Sequence, residues 1–227
     1  MQPYIFPYIG YYQLISTVEK FVIYDDVNYI NKGWINRNNL LINGKAGLFS
    51  VPLKDASQNR LINEIELANE PGWKTKFLKT IEHAYKKAPY YQPVLQLINN
   101  VIDRDVSNIN QLASLSLRTV CDYLAISTTF IQTSSQYNNN HLKAQNRILD
   151  ICKIEKTDHY INPIGGIEIY SKEFFEASGI KIDFLKTCGI EYKQFANEFV
   201  PNLSILDVLM FNSVQEVQQL LTQYQLV

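Results

Sequence analysis

Phe21-Val-Ile-Tyr24 is a compact apolar run with polar residues on either side, which reads as a strand buried on both faces. Such a strand needs a sheet whose faces are covered, and the flanking segments have the helical period that supplies cover. Gly10 to Glu19 places Tyr11, Leu14, Ile15 and Val18 on one helical face. Further helices are expected over Pro71–Lys87, Tyr91–Ile102, Ile109–Leu124, His141–Cys152, Ser171–Ser178, Ile205–Phe211 and Val214–Tyr224. Thr128–Ile131, Asp158–Ile161, Ile180–Leu185 and Tyr192–Phe195 read as strands. Asn43-Gly44, between Leu40-Leu-Ile42 and Leu48–Leu53, is the pair a type I′ hairpin turn favours, and Leu61–Leu67 alternates well enough for a third strand there. The pattern predicts an α/β fold: a mixed sheet flanked by helices with an antiparallel hairpin section. No internal repeat or long linker divides residues 1–227, so one domain is expected.

Charge and cysteine usage narrow the function. A net charge of −1 gives no global field toward nucleic acid or an anionic membrane, so any phosphate must meet local cations. No apolar run approaches the ~18 residues of a membrane span. Pro3, Pro7 and Gly10 interrupt the start of the chain and no basic region precedes them, unlike a secretory signal. Cys121, Cys152 and Cys188 lie far apart, without CxxC or metal spacing, which points to reduced thiols, a cytoplasmic protein and no zinc site. No standard dinucleotide or P-loop motif is present to name a cofactor.

Candidate site residues begin where the first strand ends, because ligands of open α/β sheets sit at strand ends. Asp25 and Asp26 occupy that position as base or cation ligand, and neighbours on a strand share one site only if the strand has already ended. Lys32 and Arg37, five residues apart, are candidates to hold a phosphate or carboxylate, with Asn36 beside them. Trp34, Tyr11 and Tyr4 are the aromatic candidates against a substrate ring. Ser134 and Ser135 leave a strand with hydroxyls and N–H groups free for a phosphate, and no Gly-x-Ser-x-Gly elbow marks a hydrolase. Asn162-Pro-Ile-Gly165-Gly166, with Tyr170, is a turn whose backbone admits close approach. His141, near a helix start, and His159, beside a strand end, are candidates for proton transfer. The expected partner is a phosphate-bearing small molecule.

Gln2–Ile15, Phe21–Tyr29 and Gly33–Asn38 together resemble the N-terminal signature of WbqC-like proteins, and Tyr160–Gly166 and Leu203–Met210 resemble the C-terminal part. The resemblance covers nearly the whole chain. It implies a place in bacterial surface-polysaccharide (O-antigen-type) biosynthesis, and from that context a transferase acting on a nucleotide-linked sugar or an acyl donor. It carries over no catalytic residue. A non-catalytic scaffold using Tyr4, Tyr8 and Tyr12 as an interface is the alternative. Relatives usually carry a short apolar strand before the Gln-Pro, often with His where Met1 stands here, so no use of that His is expected. The Pro-rich loop, helix and Asp-ended strand are also similar to the nucleotidyltransferase-like (Rossmann-like) fold. Tyr8-Ile-Gly-Tyr11 stands where those enzymes have His-x-Gly-His, which argues against nucleotidyl transfer itself.

Overall fold

The computed structural model describes residues 1–195 and 198–227. Its architecture is α/β. Strand β1 (Lys20–Val22) pairs in parallel with β4 (Thr129–Ile131), and β2 (Arg37–Ile42) with β3 (Lys45–Ser50) as an antiparallel hairpin. A third sheet has β6 (Lys181–Thr187) at its centre, parallel to β5 (His159–Pro163) and antiparallel to β7 (Tyr224–Leu226). The helices are α1 (Ile9–Thr17), α2 (Trp73–Tyr85), α3 (Tyr91–Ile102), α4 (Ile109–Tyr123), α5 (Ala144–Ile154), α6 (Lys172–Glu176), α7 (Ile205–Phe211) and α8 (Val214–Leu221).

The hairpin turns as its sequence requires. Asn43 and Gly44 have φ of 51° and 74°, the left-handed conformation both central residues of a type I′ turn adopt. Helix α1 is buried along most of its length. Gln13, fully buried, accepts from Thr187 Oγ1 at 2.8 Å and donates to the carbonyls of Leu220 and Gln223, so one amide ties α1 to β6 and to the end of α8.

The proline-rich start of the chain is pinned from three directions. Phe6 has φ of 41°, an uncommon conformation for a bulky residue. Its N–H donates to Ser116 Oγ at 3.2 Å, while its carbonyl accepts from Asn38 Nδ2 at 2.9 Å and Ser204 Oγ at 2.7 Å. Ser204 also caps α7, and Ile205 N–H reaches the Pro7 carbonyl at 2.8 Å. The contacts over-determine the strained residue, which is how such a conformation persists.

Five local expectations fail, among them the helix expected over Val214–Tyr224, which ends at Leu221. Leu61–Leu67 is not a strand. Its residues bridge three separate partners (Asn28, Leu53 and Asn108) around a short 3-10 turn at Ile62–Glu64, so no continuous ladder forms. Pro71 precedes α2 instead of opening it, since Gly72 takes a left-handed φ of 85°. Helix α5 starts at Ala144, which leaves His141 in the preceding turn. Tyr192–Phe195 forms no strand; Tyr192 and Gln194 instead turn their side chains to buried Asp207, which accepts from each at 2.6 Å and from Tyr85 at 2.8 Å. Beyond α8 the chain turns at Thr222 to Gln223 and adds β7 to the edge of β6.

Candidate functional site

Parallel pairing sends β1 and β4 out of the sheet on the same side, and Ser134 N–H extends the ladder to the Ile23 carbonyl at 2.8 Å. Asp25 and Ser134 therefore meet. Asp25 Oδ1 accepts from Thr133 Oγ1 at 2.7 Å and from Ser134 N–H at 3.1 Å, and Oδ2 accepts from Asn110 Nδ2 on α4 at 2.8 Å. At 1% exposure, burial pushes its carboxyl above the usual range, against the pull of these hydrogen bonds. Ser134 Oγ accepts from Asp25 N–H at 3.1 Å and donates to Asp26 Oδ1. The strand has ended before the two carboxylates, which is why one serine bridges both.

Asp26 forms a buried ion pair with Arg147 of α5. Nη2 lies 2.6 Å from each carboxylate oxygen, and the side chains are 3% and 7% exposed. Arg147 Nη1 also donates to the Asp26 carbonyl at 3.3 Å and Nε to Asn139 Oδ1 at 3.0 Å, while Asn139 donates to Asp150 at 2.8 Å. The guanidinium carbon stands 4.8 Å from the centre of the Tyr24 ring. Tyr24 is half-buried, and its hydroxyl is pushed up by burial against the opposing pull of Arg147.

Tyr24 connects this edge to the third sheet. Tyr160 and Tyr170 have raised hydroxyl pKa values, through burial first, with nearby Tyr24 adding to both. Asn162 at the end of β5 donates to Tyr160 Oη at 2.5 Å, and the Tyr160 and Tyr170 rings meet edge-on at 6.1 Å. Gly166 is needed here, because a Cβ would fall 2.2 Å from Asn162 Oδ1. Gly165 has open space around it. Gly166→Ala is expected to push Asn162 off Tyr160 and cost about 1–3 kcal/mol, read as a lower urea midpoint with an unchanged m-value.

Ser135, next to Ser134, is half-buried, and its Oγ accepts from Asn63 Nδ2 at 3.2 Å. The remaining sequence candidates lie apart from this edge or are already engaged. Arg37 Nε donates to the Gly33 carbonyl at 2.9 Å and Nη2 to the Lys32 carbonyl, and its guanidinium lies 5.8 Å from the Trp34 ring. Lys32 is exposed with φ of 59° and Trp34 is 44% exposed, so the three form the tip of a surface loop. Asn36 accepts from Tyr29 Oη and donates to the Val51 carbonyl, bracing that loop's base. Tyr11 is 1% exposed and donates to the Gln2 carbonyl at 2.6 Å, and Tyr4 packs on it at 5.7 Å. His141 is exposed on a turn.

Sequence reasoning missed Arg147, Tyr24, Thr133, Asn110 and Tyr160. Arg147 had a usable signal: it lies four residues before Ile151 on one face of α5, and a cation in line with core residues needs a buried anion. Among the described residues, no cluster of three or more His, Cys, Asp or Glu side chains is arranged to hold a metal ion.

The profile of the WbqC-like protein family matches residues 2–219, a span that includes every residue of this edge. The chain belongs to that family. An uncharacterized protein of Mycobacterium tuberculosis, Rv1507c, is 26% identical over 208 residues, covering 91% of this chain and 89% of the relative. No solved structure matches. No described helix is long and apolar enough to cross a membrane.

The thiols give a direct check on the packing around the site. Cys121 and Cys152 are buried and pushed up to about 12, whereas Cys188 is half-exposed. At about pH 8 a thiol-reactive chromophore is expected to label Cys188 rapidly, and Cys121 and Cys152 only once guanidinium unfolds the protein.

Proposed function

We propose that the protein is a transferase of bacterial surface-polysaccharide biosynthesis, taking a nucleotide-linked sugar or acyl donor at the edge formed by β1, β4 and β5. One observation carries this reading. Tyr24–Asp26 and Ser134–Ser135 follow the C-terminal ends of parallel β1 and β4, where α/β folds bind ligands, and Arg147, Tyr160 and Tyr170, far away in sequence, lie near Tyr24. The half-buried Tyr24 and Tyr170 offer aromatic faces for a ring. Ser135 and Asn162 offer polar groups, and Asp25, its carboxyl raised by burial, holds Thr133 and Ser134 beside them. The Asp26–Arg147 pair holds Tyr24 in place and is a positioning element.

Thermal-shift measurements across nucleotide-sugars and acyl donors test the reading. A donor at about 100 times its Kd stabilises by about 2.7 kcal/mol, and that shift, read against each variant's own unliganded midpoint, should vanish in Tyr170→Ala. Absence of a shift with every donor, or a shift that survives Tyr170→Ala and Ser135→Ala together, would overturn it.

A further inference from the structure

A groove of about 700 Å³ runs between α2 and the end of the β2–β3 hairpin, away from the candidate site. It is lined by Ile42, Gly72, Thr75, Thr80 and the cationic or titratable side chains of Lys76, Lys79 and His83. No carboxylate lines it, and neither Lys76, Lys79 nor His83 forms an ion pair among the described residues. Lys45, the cross-strand partner of Ile42, and exposed Lys86 and Lys87 extend the positive character at either end. This concentration stands out in a chain whose net charge is −1.

We propose that this groove docks an acidic amphipathic helix of a partner protein. Lys76, Lys79 and His83 recur at three and four residues, which spaces them by about 4.5 and 6 Å along the axis of α2. Carboxylates on a facing helix at the same three- and four-residue spacing present charge at matching intervals. Ile42, among the lining residues, gives such a helix's hydrophobic residue an apolar contact. Apart from the His83 imidazole the lining contains no aromatic ring to stack a base or a sugar, and it has no guanidinium for bidentate phosphate recognition. Those absences favour an acidic peptide over a nucleic acid or an acidic glycan.

The test uses the full chain and a fluorescent synthetic helix carrying Glu at i, i+3 and i+7 around one Leu, with its Gln counterpart, oligo-dT and heparin as the other arms. Binding of the Glu peptide is expected at about 50 mM salt, weakened at least tenfold at about 300 mM. It should also weaken at least tenfold in Lys76→Glu/Lys79→Glu, whose thermal midpoint should match the parent because both side chains are exposed. The Gln peptide should bind at least tenfold more weakly than the Glu peptide. Equal binding of the two peptides, insensitivity to the charge reversal, or tighter binding of oligo-dT or heparin through the same lysines would each overturn the proposal.

Discussion

Raising the pH beyond about 10 is expected to unfold the protein cooperatively, with tyrosinate absorbance appearing in one step together with loss of far-UV circular dichroism. Tyr11, Tyr12 and Tyr85 are at most 1% exposed, and burial holds each hydroxyl well above its usual value. Tyr85 resists further because it donates to the Asp207 carboxylate, so ionising it would set two anions side by side. A phenol with a raised folded pKa keeps its proton in the native state while the unfolded chain releases it. Stability is therefore fully present below about pH 10 and falls as pH rises beyond it. Three such groups give a slope of about 4 kcal/mol per pH unit. Against a typical 5–15 kcal/mol of stability, that exhausts the native state within a few pH units. Gradual titration of all 15 tyrosines with circular dichroism intact would contradict the packing described above.

Arg147→Ala is expected to be among the most damaging single substitutions, costing about 3–5 kcal/mol in urea unfolding. It leaves Asp26 buried without its cation, strips Asn139 of a donor and removes the guanidinium from the Tyr24 ring. The double change Arg147→Met with Asp26→Leu should recover a large part of that loss, because the penalty comes from an uncompensated charge more than from the missing pair. Both variants should lose donor binding, since Tyr24 is no longer held. A cost below about 1 kcal/mol for Arg147→Ala would mean that the pair is solvated and the edge looser than its distances indicate.

The parts of this architecture that could be read from sequence are those set by local chemistry. The hairpin at Asn43-Gly44 and the cap at Ser204 appear where turn and capping preferences put them. Leu61–Leu67 misled because its alternation serves three separate bridges, and a pattern records burial without naming partners. Asp25 and Asp26 were identifiable as residues at a strand end, but what holds them was not. Ser134 and Arg147 lie 108 and 121 residues from Asp26, and no local rule selects a partner at that distance. The cluster Lys32, Trp34 and Arg37 attracted notice for its residue types, yet its cation hydrogen-bonds the carbonyls of its own loop. Composition cannot distinguish a guanidinium aimed at a ligand from one closing a turn.

The pinning of Phe6 also bears on the order of events during synthesis. Its carbonyl is held by Ser204, 198 residues downstream. At about 5–20 residues per second, roughly 10–40 s elapse between the polymerisation of the two. Throughout that interval the proline-rich segment has at most its Asn38 and Ser116 partners, and lacks the third contact that completes its pinning. This segment is thus fully secured only once Ser204 and α7 have been made.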